Sequence, residues 1–263
     1  MSTAPHVPYR LEFSVEVPGT PEQVWQAVAT AAGMSAWFLP TQLEEREGGA
    51  LHFSMGPDMG SDGHVTRWEP PHRLVYEEDW AALMGVDPQA LSPLTSEFVV
   101  EARSGGTCVV RVTSSGFGTG ADWEQEWWDG MGPGWLPSFD VLRLYLADFA
   151  GQEATQMEVS ATHPGDAATL WSTLRDALGL HAEGATVEAR GVAGTVVRLG
   201  ERHALVRLTA PVPGMLTASV YAEDDGKAAA GVRAFLFSPD AADVVRREEP
   251  GWRDWLQGLS VPV

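Results

Sequence analysis

The residues able to carry chemistry are few and scattered. Seven histidines occur, at His6, His52, His64, His72, His163, His181 and His203, and no two stand at a metal-ligand spacing such as H-x-x-x-H. The single cysteine, Cys108, lies in an alternating apolar segment, where a thiol reads as a small buried hydrophobe rather than a nucleophile. Asp58, Asp62, Gly63 and Glu69 fall in a calcium-loop order, but the third ligand is missing and the flanks read as strands. The glycine-rich GMGPGW lacks the Lys-Ser/Thr of a phosphate loop, and Ser138 has no evident base. Two carboxylate groups remain: Glu124, Glu126 and Asp129 in a tryptophan-rich segment, and Glu77, Glu78 and Asp79 at a strand end. A carboxylate turned into a cavity with a raised pKa can act as acid or base, but solvated charge is the plainer expectation for each. The sequence therefore predicts no metal, no cofactor and no catalytic set.

The aromatic residues say more. Trp37, Trp68, Trp80, Trp123, Trp127, Trp128 and Trp135 all fall within the first 151 residues, and concave pockets lined by aromatic rings with a few polar groups are the usual sites for small ligands. Alternation along the strands selects Phe53, Trp68, Tyr76, Phe98 and Val110 as wall residues and the helix stripe adds Phe139 and Leu142, with Trp135 beside them and Trp37 and Trp80 at the mouth. If Val65 and Arg67 face outward, His64, Thr66 and Trp68 share the inward face, which makes His64 the polar candidate for ligand contact.

These side chains need elements to position them. Trp135, Phe139, Leu142, Leu146 and Phe149 recur at helical spacing and predict a helix over Gly134–Phe149. Gly134 reads as its N-cap, Pro137 lies in its first turn, Asp140 lies near its positive end, and Gly151 stops it. Asp122–Asp129 reads as a separate turn of helix, and Gly130, Gly132, Pro133 and Gly134 as a break. Upstream, Tyr9–Val17 alternates as a strand, and Thr20, Pro21 and Gln23 form the start of a helix with a capping box. A short helix over Gly33–Phe38 follows. Strands are then expected at Thr41–Glu47, Ala50–Met55, Gly63–Glu69, Arg73–Trp80, Ser96–Arg103 and Thr107–Ser115. The apolar excursion Trp80–Leu94 reads equally as a cavity cover or an ordinary packed insertion.

The first strand, turn and helix recur. At an offset of 146, Glu12 matches Glu158, Ser14 matches Ser160, Pro18 matches Pro164, Gly19 matches Gly165 and Trp25 matches Trp171 (158 − 12 = 146). Gly251-Trp252 echoes Gly134-Trp135 and opens a terminal helix of about two turns. Two domains follow, 1–151 and a shortened relative at 152–263, the second with a smaller or filled groove.

The net charge of −19 argues against nucleic acid as a partner, because phosphate binding needs clustered Lys and Arg. The acidity is uneven: residues 1–151 hold 21 acidic and 7 basic residues, or −14, against 15 and 10, or −5, for the remainder. No apolar run approaches the ~20 residues of a membrane helix. The first residues lack the apolar core of a signal peptide, and one cysteine forms no intrachain disulfide. The expectation is a cytoplasmic protein without membrane insertion, monomer or homodimer.

The segments TPEQVWQAV with Trp37–Phe38, GHVTRWEPPHRLVYEEDW, GGTCVVRVTSSGFG and GWLPSFDVLRLYLADF resemble the SRPBCC (START-like) superfamily, and within it the bacterial heat-shock-protein ATPase activator homologues. The resemblance covers about Tyr9–Ala150 and implies an α+β helix-grip fold, a curved antiparallel sheet around a long C-terminal helix, followed by a second, shortened copy. It also implies a cavity for a small apolar or amphipathic molecule. On that footing the chain reads as a binding protein rather than an enzyme. The alternatives are a protein-interaction module with a chaperone partner, or a cyclase/aromatase-like or hydrolase-like enzyme using His64.

Overall fold

The computed structural model describes residues 7–56, 59–86, 91–223 and 226–260, and at 82, 83 and 133 the backbone alone. Asp58 of the calcium-loop pattern and His6 lie outside the described residues. The chain divides into two compact units, Met1–Gln152 and Glu153–Val263. Each is α+β, an antiparallel sheet with helices, and the second is a shortened copy of the first.

The first unit begins with β1 (Val7–Pro18), whose Tyr9, Leu11, Phe13, Val15 and Val17 point to the covered face. Helix α1 (Pro21–Ala29) starts as the sequence predicts. The Thr20 amide donates to Gln23 Oε1 at 2.9 Å, and the Gln23 amide donates to Thr20 Oγ1 at 3.4 Å. Helix α2 (Ala31–Ser35) is capped by Thr30. There follow β2 (Thr41–Leu43), β3 (Ala50–Gly56), β4 (Met59–Glu69), β5 (Arg73–Glu78), the single turn α3 (Trp80–Met84), β6 (Leu94–Arg103) and β7 (Thr107–Gly118). The seven strands are ordered β1-β7-β6-β5-β4-β3-β2, a meander closed by the pairing of first and last. Trp80 starts α3 rather than ending a strand, because its ring packs on two tryptophans of the helix that follows.

That helix, α4 (Asp122–Asp148), is one continuous element and corrects the expected break at Gly130–Gly134. Three glycines and a proline weaken the helix locally, but an apolar row runs unbroken through them: Trp128, Met131, Trp135, Phe139, Leu142, Leu146 and Phe149. Packing along that row outweighs local propensity. Gly134 is therefore mid-helix, not an N-cap. Asp140 lies far from the positive end and instead binds Arg143 at 2.8 Å. Past the end of α4, Gly151 takes a positive φ of 78°, and its amide donates to the Tyr145 hydroxyl.

The second unit comprises β8 (Thr155–Pro164), α5 (Ala167–Leu178), β9 (Thr186–Ala189), β10 (Val192–Leu199), β11 (His203–Ala210), β12 (Gly214–Glu223), β13 (Lys227–Leu236) and α6 (Ala241–Gln257). Its six strands run β8-β13-β12-β11-β10-β9, the same closure with one strand fewer. The repeat is structural. Gly19 and Gly165 both have positive φ, 118° and 107°. The Gly19 amide donates to Gly106 O at 3.0 Å and the Gly165 amide to Gly226 O at 2.9 Å. Trp25 and Trp171 are both buried. Helix α6 is longer than the expected two turns: it begins at Ala241 and passes through Pro250, because Ala241, Val244, Trp252 and Leu256 form one buried face on either side of it.

Candidate functional site

The covered face of the first sheet and α4 enclose a cavity of about 300 Å³. Its walls follow from strand alternation read through the pairing register. One cross-strand row runs Val65–Tyr76–Ser96–Ser114–Leu11, and beside it lie Gly63–Glu78–Leu94 on β4 to β6 and Gly116–Tyr9 on β7 and β1. The inner wall is thus Tyr76 and Glu78 from β5, Leu94 and Ser96 from β6, Ser114 from β7, Ser61 from β4 and Phe53 from β3. The half-buried rim comes from the turn after α2 (Phe38, Leu39), from Met55, and from Trp127, Met131 and Trp135 of α4, and the buried Trp80 also lines it.

Rings build most of this surface. Phe38 stacks on Trp135 (5.1 Å between centroids, 8° between planes) and meets Phe53 edge-on at 5.8 Å. Phe53 contacts Tyr76 at 5.7 Å, and Trp80 lies 4.4 Å from Trp127. The Trp80 indole N–H donates to Ser92 O at 2.6 Å, which ties the excursion to the cavity wall. The excursion both packs and lines: α3, Leu91 and Leu94 form one cluster with Tyr9 and Trp128.

The polar groups are few and deeply placed. Glu78 is 9% exposed and Ser61, Ser96 and Ser114 no more than 2%. Burial pushes the Glu78 carboxyl above the usual carboxylate range, partly offset by the Ser61 hydroxyl beside it. Burial and then the charge of Glu78 push the Tyr76 phenol up, with the Ser96 hydroxyl acting the other way. The hydroxyls of Ser61 and Ser114 have no partner of full hydrogen-bond geometry among the described residues. Among the described residues no Lys, Arg or His lines the cavity.

Of the residues singled out from sequence, Phe53, Tyr76, Trp80 and Trp135 come together on the cavity surface. Phe98 and Phe139 stand behind them, Phe98 against Tyr76 and Trp135, and Phe139 stacked on Trp135. Val110 and Leu142 are fully buried core. Trp37 is buried with its indole N–H donating to Ala27 O at 2.9 Å, and Trp68 packs edge-on against Trp25, so neither lines the cavity. His64 faces outward, against expectation: its side chain is 56% exposed and 3.9 Å from Glu77. A bulge between Val65 and Arg67 shifts the alternation, so that Val65 is inward before it and Trp68 after it. The enzyme reading through His64 loses its geometry with that correction.

Sequence reasoning undervalues Glu78 and does not select Ser61, Ser96 and Ser114. The signal is present in part, since alternation places Tyr76 inward and Glu78 is two residues on. Glu124 is likewise not a solvated charge. It accepts from the Thr119 amide (3.0 Å) and hydroxyl (2.7 Å), the Gly120 amide (2.9 Å) and the Tyr9 hydroxyl (3.2 Å), and so pins the start of α4 to β1. A Cβ on Gly118 would collide with its carboxylate. Cys108 is buried, its thiol 3.4 Å from Gly19 O, with burial raising its pKa. Among the described residues no group of three His, Cys, Asp or Glu could hold a metal ion, and no helix is long and apolar enough to cross a membrane.

Residues 18–147 match the family model described as activator of Hsp90 ATPase homolog 1-like protein. No curated protein matches the chain. Among solved structures, protein MLL2253 from Mesorhizobium loti is 20% identical over 54% of this chain and 98% of its own, with a TM-score of 0.46. The di-domain ARO/CYC BexL from the BE-7585A biosynthetic pathway is 13% identical over 95% of this chain and 97% of its own, at 0.44. The Aha1 dimer from Colwellia psychrerythraea is 18% identical over 52% and 96%, at 0.41.

Proposed function

We propose that this chain, which belongs through its first domain to the activator of Hsp90 ATPase homolog 1-like family of the SRPBCC superfamily, binds a small apolar or amphipathic molecule in that domain's cavity. The observation that carries the reading is the cavity itself: about 300 Å³ walled by Phe38, Phe53, Tyr76, Trp80, Trp127 and Trp135. An apolar cavity of about 150 Å³ is enough to take up benzene, so this one has room for a molecule of two or three rings.

The neutral fluorophore N-phenyl-1-naphthylamine tests this. The protein is expected to bind it saturably, with quenching of tryptophan emission. Gly134 continues the helical row of Trp127 and Met131, and a Cβ there meets nothing within 4 Å. Gly134→Leu is expected to keep the fold and lose the binding. Absence of saturable binding by the parent protein, or unchanged binding by Gly134→Leu, would exclude the cavity as the site.

A further inference from the structure

The wall of the cavity holds one buried carboxyl group, Glu78, and two hydroxyls, Ser61 and Ser114, that lack a partner of full hydrogen-bond geometry among the described residues. Glu78 and Ser61 are neighbours across β5 and β4, and Ser96 and Ser114 face the same cavity from β6 and β7; all four are at most 9% exposed, in a surface otherwise built mainly from rings and aliphatic chains. Polar groups buried this way are costly unless something pairs with them. A purely hydrocarbon occupant would remove the remaining water from these groups and supply nothing in return. An anionic occupant fares worse: no basic side chain among the described residues lines the cavity, and the domain around it carries −14 by sequence (7 − 21). A neutral hydrogen-bonding ligand would answer the hydroxyls but gain little from the ring faces or the acidic field. A cation gains from all of them, because aromatic faces attract positive charge and a buried carboxylate is most favourably paired with it.

We propose that the cavity of the first domain is a receptor for an aromatic or fused-ring amine, its ammonium paired with Glu78 beside Ser61 and its ring body lying against Trp80, Trp127 and Trp135. This rests on the cavity being a ligand site and names the class of ligand. The positive group sits at the deep end, where Glu78 is, and the flat body fills the space towards the rim. The Ser61 hydroxyl, whose hydrogen can turn towards the Glu78 carboxylate, keeps its lone pairs free to accept a hydrogen bond from an ammonium N–H. Tyr76 is the other titratable group at the floor. It stays neutral, and its ring face is one more favourable surface for a cation.

The experiment is isothermal titration calorimetry of the full chain at neutral pH and physiological ionic strength with three probes sharing one ring system: 1-naphthylmethylamine, 1-naphthylmethanol and 1-naphthoate. The amine is expected to bind about tenfold tighter than the alcohol, a difference of about 1.4 kcal/mol, and the carboxylate most weakly. Glu78→Gln, which keeps the shape of the side chain, is expected to bring the amine down to the affinity of the alcohol and leave the alcohol unchanged. Glu77→Gln removes an equal charge from the next residue, on the opposite face of the strand, and is expected to preserve the preference. Trp127→Leu, at the half-buried rim, is expected to weaken the amine more than the alcohol. Equal affinity for amine and alcohol, tightest binding of the carboxylate, or a preference that survives Glu78→Gln would overturn the cation assignment while leaving the cavity as a binding site. Failure of all three probes together with N-phenyl-1-naphthylamine would overturn both.

Discussion

Glu78 and Glu124 are both withdrawn from water, yet their carboxyl groups shift in opposite directions. Burial alone would raise Glu124, but the Thr119 hydroxyl, the Gly120 and Thr119 amides and the Tyr9 hydroxyl outweigh it and hold the group below the usual range. Its stabilisation is therefore complete above the unfolded-state pKa and is lost as pH falls through the folded one. Glu124→Gln places an amide among donors, and is expected to cost about 1–3 kcal/mol at neutral pH in urea unfolding, with the gap to the parent narrowing in acid. Glu78 has the reverse sign. Its folded pKa is raised, so the folded state holds the proton more tightly and stability falls as pH rises from the usual carboxylate range through the raised value. The groups that act on it are the Ser61 hydroxyl and the Tyr76 phenol, and no Lys, Arg or His among the described residues lines the cavity. Glu78→Gln is expected to flatten that decline and leave the empty protein more stable than the parent at neutral pH. A parent curve parallel to the variant's across this range would show that Glu78 is solvated after all.

At the scale of elements, α4 shows how packing overrides propensity. Glycine inside a helix costs about 1 kcal/mol relative to alanine, and proline removes a hydrogen bond, so the run from Gly130 to Gly134 should be weak. It stays helical because apolar residues on both sides of it belong to one face. A methyl group added at Gly130 or Gly134 would meet no atom within 4 Å, so Gly130→Ala and Gly134→Ala are each expected to stabilise the first domain by about 1 kcal/mol in thermal or urea unfolding. Destabilisation by either would mean that the helix needs those glycines for its shape. The bulge in β4 works at the same scale. One extra residue between Val65 and Arg67 reverses which side chains face inward, and it decides the place of His64 and Trp68 together.

For the whole molecule, the two units share one plan but not one interior. The second unit closes its own core, from Met157 to Leu256, around a space of only about 20 Å³, room for little more than a water molecule. Residues 1–152 expressed alone are expected to unfold cooperatively and keep the affinity of the full chain for N-phenyl-1-naphthylamine. Residues 153–263 alone are expected to fold and bind none. Retention of the probe by the second fragment would show that its core opens. The duplication itself is legible from Glu12/Glu158, Pro18/Pro164, Gly19/Gly165 and Trp25/Trp171, because a turn that needs a positive φ and a buried ring each tolerate few replacements.

Local patterns in the chain determined the capping box at Thr20, most of the strands and the apolar stripe of α4, since each depends on periodicity or on neighbours within a few residues. Phe53 and Tyr76 were readable as wall candidates, Trp80 as a mouth candidate and Trp135 as a ligand candidate beside them, for the same reason. The repeat was legible from matches at one constant offset, and the helix-grip fold from the resemblance to a known superfamily. Only the tertiary structure decided that α4 runs through its glycines, that His64 turns out, and that Glu78, Ser61, Ser96 and Ser114 all face the cavity. Those outcomes depend on register and long-range packing, where one bulge or one shared apolar face outweighs what a short stretch of sequence prefers.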